Sequence, residues 1–193
     1  MNELPKNSFC PLNSSDWREW LKKNHKNEGF VWLIFYKKKS AKHNLSWSQA
    51  VDEAICFGWI DSVKKTLDDE RYIQYFSKRK PKSIWSRINK DKVKTLTKQG
   101  LMREAGLSCV RVAKENGSWT ILDTVEQLII PEDLEDEFQQ YPNSKDYFQS
   151  LSQSIRKGIL YWVISAKKEE TRKKRIKEIA EMAGNETLPK NFR

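Results

Sequence analysis

The chain has 193 residues, of which 38% are hydrophobic and 11% aromatic, and its formal net charge is +10. This length suits one large domain or two small ones, and the aromatic content excludes a disordered chain. The sequence has no apolar run of about 18 residues, so no membrane insertion is expected. It does not begin like a signal peptide, which favours a cytoplasmic location.

The first predicted elements are a helix and a strand. The segment "SSDWREWLKKNHKNEGF" is typical of a helix that Ser15 or Asp16 caps and Gly29 ends. The continuous apolar run "FVWLIFY", residues 30–36, predicts a strand that is buried on both faces.

The clearest helix begins after Ser46, which forms a capping box with Gln49. Gly58 suits the left-handed position that ends such a helix. Residues 59–66 and 71–77 then predict two strands of a hairpin joined by "LDDE". A strand, a helix and a returning strand imply a crossover, so the first two of these strands are expected to be parallel.

From about residue 84 onward the pattern is helical. The predicted fold is therefore α+β, with a small mixed sheet (strand–helix–strand–hairpin) and a predominantly helical C-terminal half. We expect an N-terminal unit over residues 1–117 and a helical part over 118–193 that packs on it. The connector at 118–131 is too apolar for a solvated linker, which favours this packing.

The charges are unevenly distributed along the chain. Residues 78–94 contain eight Lys/Arg and one Asp, and residues 156–177 contain nine Lys/Arg and two Glu, a net +7 in each case. Residues 123–146 contain eight Asp/Glu and one Lys, a net −7. Two explanations stay open: a nucleic-acid or other acidic partner, or an acidic segment that lies against a basic one in the same molecule.

Neither a metal nor a cofactor is indicated. The three cysteines and two histidines are far apart and lack the tight spacing of zinc ligands. Cys56, between Ile55 and Phe57, is expected to be a small buried hydrophobe. No catalytic motif of the hydrolase or metalloprotease type occurs, so no catalytic residue is predicted.

Asp61 is the most unexpected residue of the hairpin, because it follows Trp59 and Ile60 in an apolar stretch. A buried carboxylate needs a partner, and Arg79 or Lys80 follows the returning strand. We therefore predict an Asp61 ion pair with one of them. The pair has two interpretations: it fixes the hairpin, or it forms the floor of an aromatic-walled ligand pocket.

The segment "SKRKPKSIWSRIN" is a second candidate site, because cations and hydroxyls precede a helix start. A helix start offers free N–H groups that hold phosphate or carboxylate. The alternative is that Ser83, Ser86 and Asn89 only cap turns. The basic helix "AKKEETRKKRIKEIAEMAG" is a third candidate, for nucleic acid, although four glutamates interrupt its basic face.

Several phrases resemble the YdeI/OmpD-associated family, also called bacteriocin-protection proteins. They are "VWLIFYKK", "AVDEAICFGWIDS", "QYFSKRKPKSIWSRINK", the turn at residues 100–102, "NGSW" and "AKKEETRKKRI". The resemblance extends from about Trp17 to Gly184. It implies a link, by name, to bacteriocin protection and to an outer-membrane porin, but no activity or catalytic residues that transfer to this chain.

The sequence therefore favours a protein that binds a small anionic molecule in an aromatic-walled pocket. The alternatives are a nucleic-acid-binding or stress-related regulatory protein and, third, an enzyme of unassigned activity. The predicted ligand-binding residues are Trp59, Asp61, Ser62, Phe76, Arg79, Lys80, Lys82, Ser83, Trp85, Ser86 and Asn89.

Overall fold

The computed structural model describes residues 4–193, and its contacts divide the chain into two compact units. Unit 1 extends to Trp119, and unit 2 is Thr120–Arg193. Unit 1 consists of β1 (Ser8–Phe9), α1 (Ser14–Asn24), β2 (Phe30–Tyr36), α2 (Trp47–Cys56), β3 (Trp59–Thr66), β4 (Arg71–Lys78), α3 (Arg87–Lys98) and α4 (Glu104–Glu115). Unit 2 consists of α5 (Asp123–Glu126), α6 (Glu132–Phe138), α7 (Ser144–Ser150), α8 (Gln153–Ile164), α9 (Glu169–Gly184) and a 3-10 turn (Lys190–Phe192).

The four strands form one mixed sheet in the order β1-β2-β4-β3. β1 is parallel to β2, whereas β2 and β3 are both antiparallel to β4. The predicted α+β class, the strand over 30–36 and the hairpin are thus confirmed. β2 and β3 run in the same direction, as expected for a crossover, but β4 lies between them. The two-residue strand β1 was not predicted, because such a short strand leaves no periodic signal.

The helix ends confirm one predicted cap and correct another. The Ser46 Oγ accepts from the Gln49 N–H, and the Gln49 Oε1 accepts from the Ser46 N–H. The capping box of α2 is therefore present. Gly58 has a φ of +74°, the left-handed conformation predicted for it. At α1, however, the cap is Asn13, whose Oδ1 accepts from the Asp16 N–H at 3.0 Å. The predicted caps Ser15 and Asp16 lie inside the first turn.

The core of unit 1 lies between the sheet and its four helices. Trp17 and Leu21 of α1 are fully buried, as is nearly the whole inward side of α2. α4 approaches α2 closely at Gly106, where an added Cβ would lie 2.5 Å from the Cys56 carbonyl oxygen. Cys56 is buried, as predicted from its apolar neighbours. This close approach explains why a glycine stands in the first turn of α4.

Unit 2 has its own apolar core, built from α5 to α9. Ile159, Ile176, Ile179 and Ala180 are buried in it, and Ile155 and Trp162 are partly buried against it. No strand follows Lys78 in the described part of the chain, which confirms the predicted helical C-terminal half. The packing of residues 118–193 on the N-terminal unit stays a prediction, and a brief native digest that releases two stable fragments would contradict it.

Within residues 4–193, no helix is both long and apolar enough to cross a membrane.

Candidate functional site

The sheet of unit 1 has two unlike faces. Side chains alternate along a strand, and residues paired across strands point to the same side. The apolar side chains that α1 to α4 bury all belong to the core that includes Val31, Leu33 and Phe76. We call this side the closed face and the other side the open face. The open face consists of Phe30, Trp32, Ile34 and Tyr36 from β2, Arg71, Ile73, Tyr75 and Ser77 from β4, and Ile60 and Lys65 from β3.

Three aromatic rings form a continuous cluster on the open face. Trp32 and Tyr75 are directly paired across β2 and β4, and their ring centroids are 5.0 Å apart at an interplanar angle of 70°. Phe30 stacks on Tyr75 with centroids 5.2 Å apart and planes 20° from parallel. All three side chains are half-buried, so part of each ring is accessible to solvent. The open face therefore presents a surface of mutually supporting π systems.

Lys65 lies over this cluster. It pairs with Ile73 on β4, yet its Nζ is 4.9 Å from the centroid of the Trp32 ring on β2. The aliphatic stem of Lys65 must therefore cross β4, as long cationic side chains often do over apolar surface. Ile73 and its partner Ile34, paired across β4 and β2, are also buried on this face, at 2% and 4% exposed. The lysine places a positive charge on an aromatic surface.

The neighbouring Lys64 points to the opposite face. It pairs with Gln74, and its Nζ lies 4.2 Å from the ring centroid of Tyr72 on the closed side. Lys64 and Lys65 are both exposed and carry the same charge on the same strand. They differ mainly in which face of the sheet they reach.

A β-bulge interrupts β3 opposite Tyr75. Asp61 pairs with Phe76 and Lys64 pairs with Gln74, so Ser62 and Val63 together face the single residue between them. Bulges are frequent at sheet edges and next to functional sites, where they redirect side chains. Here the bulge lies on an edge strand, directly beside the aromatic cluster.

Asp61 lies on the closed face and does not form the predicted ion pair. Its Oδ2 accepts from the Trp47 Nε1–H at 2.9 Å and from the Gln74 Nε2 at 3.2 Å. The Gln74 amide, which is 4% exposed, also donates to the Ser62 carbonyl oxygen at 2.9 Å. The prediction of a partner at Arg79 or Lys80 is wrong, because the strand register turns the carboxylate towards α2. Asp61 instead satisfies a buried amide and ties the first turn of α2 to β3.

Arg79 is buried against Trp85 and the Ile84 carbonyl oxygen and makes no ion pair with Asp61. Its guanidinium carbon lies 3.7 Å from the centroid of the Trp85 ring, and its Nη1 donates to the Ile84 carbonyl oxygen at 3.1 Å. Its Nε and Nη2 are buried without a hydrogen-bond partner among the described residues. Burial lowers the pKa of Arg79 to about 10, against the opposing effects of Cys109 and Asp61. The side chain is still a cation at neutral pH, held by an aromatic ring.

The predicted aromatic walls are part of the core. Trp59 and Phe76 are 0% exposed and Trp85 is 1% exposed. Three rings enclosed to this degree offer no accessible wall in this conformation. Binding of a ligand by the predicted set of residues stays a prediction.

The serines before α3 have structural partners. The Ser83 Oγ accepts from the Lys80 N–H at 3.0 Å, and the Ser86 Oγ accepts from the Asn89 N–H at 3.3 Å as the cap of α3. The alternative interpretation, that these residues cap turns, is confirmed for both serines. Lys80 and Lys82, in the same segment, are exposed. Ser62, which lies on β3, is exposed as well.

Unit 2 contains a cleft of its own between α6 and α9. In it Arg172 donates to both carboxylate oxygens of Asp133, at 2.6 and 2.8 Å. Hydrogen bonding to Arg172 holds the pKa of Asp133 below its ordinary value. In residues 4–193, no group of three or more His, Cys, Asp or Glu side chains is arranged to hold a metal ion.

Two family models match the chain. The model described as "Domain of unknown function (DUF8412)" matches residues 9–109, which is more than half of the chain. The chain belongs to the DUF8412 family. The model described as "Bacteriocin-protection, YdeI or OmpD-Associated" matches residues 127–185. Comparisons with the curated proteins and with the solved structures found no significant match.

The second match confirms the predicted YdeI/OmpD-associated resemblance for residues 127–185, whereas several of the phrases that suggested it lie in the DUF8412 match. The YdeI/OmpD-associated match lies in unit 2, where it includes the phrase "AKKEETRKKRI". The phrases "VWLIFYKK" and "AVDEAICFGWIDS", which carried much of the resemblance, lie in the region that matches DUF8412. The sheet and its open face are thus features of the DUF8412 part of the chain.

The sequence interpretation missed Phe30, Trp32, Tyr75 and Lys65. The run "FVWLIFY" was predicted to be buried on both faces because it has no polar alternation. The available signal was the position of its largest rings, since aromatics at 30, 32 and 36 share one side of a strand. This pattern indicates an exposed aromatic surface only once it is known that the core lies on the other side of the strand, with Val31, Leu33 and Phe35.

Proposed function

We propose that this protein binds nucleic acid through the open face of unit 1. The observation that carries the proposal is the division of charge between the units. Residues 1–119 contain 24 Lys/Arg and 13 Asp/Glu, a net charge of +11. Residues 120–193 contain 12 Lys/Arg and 13 Asp/Glu, a net charge of −1.

The excess charge of unit 1 cannot be neutralised within the unit. Some acids already have cationic partners, since Glu53 pairs with Arg18 at 2.5 Å and Asp52 with Lys92 at 2.6 Å. One-to-one pairing of every acid would still leave eleven cations without a carboxylate in the unit, by the counts above. A domain with this excess attracts polyanions by a long-range, salt-dependent field.

The open face favours nucleic acid over other polyanions. It combines a cation, Lys65, with accessible aromatic rings, and nucleic acids offer both phosphates and stackable bases. It is also an extended sheet surface and not a closed cavity, which suits a chain-like ligand better than a small molecule.

Salt-dependent binding of the complete chain to labelled oligonucleotides tests this function. Fluorescence anisotropy with 20-nucleotide random-sequence DNA, single-stranded and duplex, is recorded between 50 and 200 mM salt. We expect the logarithm of the binding constant to fall linearly with the logarithm of salt, with a slope of about −0.7 to −0.9 per phosphate contact. No binding to either form at 50 mM salt would overturn the proposal.

A matched pair of charge variants shows whether unit 1 is responsible. Lys38→Glu/Lys39→Glu changes two exposed lysines in the turn after β2, and Lys174→Glu/Lys177→Glu changes two exposed lysines of α9 in unit 2. Both pairs alter the net charge of the chain equally. Only the first pair is expected to weaken binding several-fold, and equal weakening by both would contradict a site in unit 1.

A small anion near residues 80–89 is a second candidate. Exposed Lys80 and Lys82 precede the twelve-residue helix α3, whose start attracts negative charge, and buried Arg79 adds a cation nearby. Inorganic phosphate should then raise the Tm of the wild-type protein and do so less in a Lys80→Ala/Lys82→Ala variant. An equal rise in both proteins would exclude this site.

A further inference from the structure

We infer that the open face takes single-stranded RNA or DNA, with unpaired bases stacked on Trp32 and Tyr75. This inference rests on the proposed function and specifies the form of nucleic acid and the residues that read it. Its basis is the position of accessible aromatic rings on a sheet face that the helices of unit 1 leave free.

The aromatic cluster has the properties of a stacking platform. Trp32 and Tyr75 lie side by side on neighbouring strands with ring centroids 5.0 Å apart, and Phe30 supports Tyr75 from the adjoining position. Such mutual packing limits the motion of the rings, so little conformational entropy is lost when a base stacks on them. Aromatic side chains that accept successive bases are the usual means of binding single strands.

A duplex cannot use this platform. Its bases are stacked inside the helix, and an enzyme or binding protein reaches their faces only after the strands separate. The grooves of a duplex admit a helix or a narrow ribbon, whereas Trp32 and Tyr75 lie in the two adjacent strands β2 and β4 of a four-stranded sheet. The rings contribute binding energy only when the bases are unpaired.

Lys65 has a defined role in this mode of binding. Its ammonium is 4.9 Å from the Trp32 ring centroid, so it occupies space above the ring that a stacked base would take. A base on Trp32 displaces the ammonium towards the rim of the cluster, where it pairs with the phosphate of the same strand. The exchange replaces a cation–π contact with a charge-assisted contact to phosphate.

The charge of unit 1 argues against the other occupants of such a face. A second copy of the chain would bring another +11 unit into contact with the first. An acidic polymer without bases would satisfy the cations but leave the rings unused. Heparin represents this class of ligand in the experiment.

The experiment compares four ligands and three substitutions in the complete chain. The ligands are labelled 12-nucleotide oligo-dT, labelled 12-nucleotide oligo-U, a 12-base-pair DNA duplex and heparin, all at the same salt concentration. Trp32→Leu and Tyr75→Leu remove the π systems and retain apolar bulk. Tyr161→Leu, at a 43% exposed tyrosine of unit 2, is the control substitution.

We expect the wild-type protein to bind at least one of the single strands more tightly than the duplex. Trp32→Leu and Tyr75→Leu should each weaken that binding by about 5- to 150-fold, the usual range for loss of one base–aromatic stack. Tyr161→Leu should change it less than twofold, and heparin affinity should be the same in all four proteins. Preference between oligo-U and oligo-dT decides whether RNA or DNA is the better ligand.

Substitutions of Lys64 and Lys65 give a second test that leaves the aromatic rings of the open face unchanged. Lys65→Ala should weaken single-strand binding several-fold and reduce the salt slope by about 0.7, the value for one phosphate contact. Lys64→Ala removes the same charge from the other face and should leave the slope unchanged. Equal slopes in the two variants would overturn the assignment of Lys65.

Two outcomes separate this inference from the proposed function. Equal binding of single strands and duplex, unaffected by Trp32→Leu and Tyr75→Leu, would overturn base stacking while leaving nucleic-acid binding by charge intact. Absence of binding to all three nucleic acids would overturn the proposed function, and the inference with it.

Discussion

The two faces of the sheet are built from the same strands but stabilised in different ways. On the closed face, Trp59 of β3 is 0% exposed and lies under α1, with its ring centroid 5.8 Å from that of Trp20. On the open face, Trp32 of β2 is half-buried, with the Tyr75 ring 5.0 Å and the Lys65 ammonium 4.9 Å from its ring centroid. The comparison shows that hydrophobic content alone does not tell which side of a strand faces the core. The helices that pack on one side determine it.

The largest expected difference between the faces is the cost of removing a tryptophan. Trp59→Ala should lower the free energy of unfolding by about 3–5 kcal/mol, because a large ring leaves a cavity in the core. Trp32→Ala should cost less, about 2 kcal/mol, because part of its surface is already in water and a smaller cavity forms. Urea denaturation of the two variants measures both values. Equal costs would show that the open face is as tightly packed as the closed one.

The next effect concerns how closely the helices of the closed face approach each other. Gly106→Ala places a methyl group 2.5 Å from the Cys56 carbonyl oxygen, so α4 must move away from the end of α2. Overpacking of this kind typically costs about 1–3 kcal/mol. At Gly29 an added Cβ meets nothing within 4 Å, so Gly29→Ala is the matched control and should change stability little. If thermal unfolding finds the two variants equally stable, the helix contact is looser than the structure indicates.

The sequence predicted the local features of both faces well. The capping box at Ser46, the left-handed Gly58 and the β3–β4 hairpin depend on residues a few positions apart, and all three are present. The register between β2 and β4 depends on a pairing of distant segments, so the sequence did not show which rings share a face.

The partner of Asp61 could not be predicted for the same reason. Arg79 and Lys80 were the nearest cations in sequence after the hairpin, but neighbours in a sheet are set by register. The Asp61 carboxylate points towards Trp47 and Gln74, and Arg79 turns to Trp85 beyond the end of β4. A buried amide and an indole N–H are weaker sequence signals than a charge, although here they donate the hydrogen bonds that the carboxylate accepts.

The smallest expected effect is at Asp61, and it tests how polar groups are accommodated at the rim of the closed face. Asp61→Ala removes the acceptor shared by the Trp47 N–H and the Gln74 amide and should cost about 1–2 kcal/mol, the usual effect of such hydrogen bonds. The loss is limited because Gln74 keeps its bond to the Ser62 carbonyl oxygen and because Trp47, 43% exposed, can bond to water instead. Asp61→Asn retains one acceptor oxygen and should cost less than half as much.

A buried ion pair would behave differently, since loss of either charge would strand the other at a cost of about 3–5 kcal/mol. Urea denaturation of Asp61→Ala and Asp61→Asn distinguishes the two cases. If Asp61→Asn lowers the free energy of unfolding by about 3 kcal/mol or more, Asp61 is paired with a cation after all.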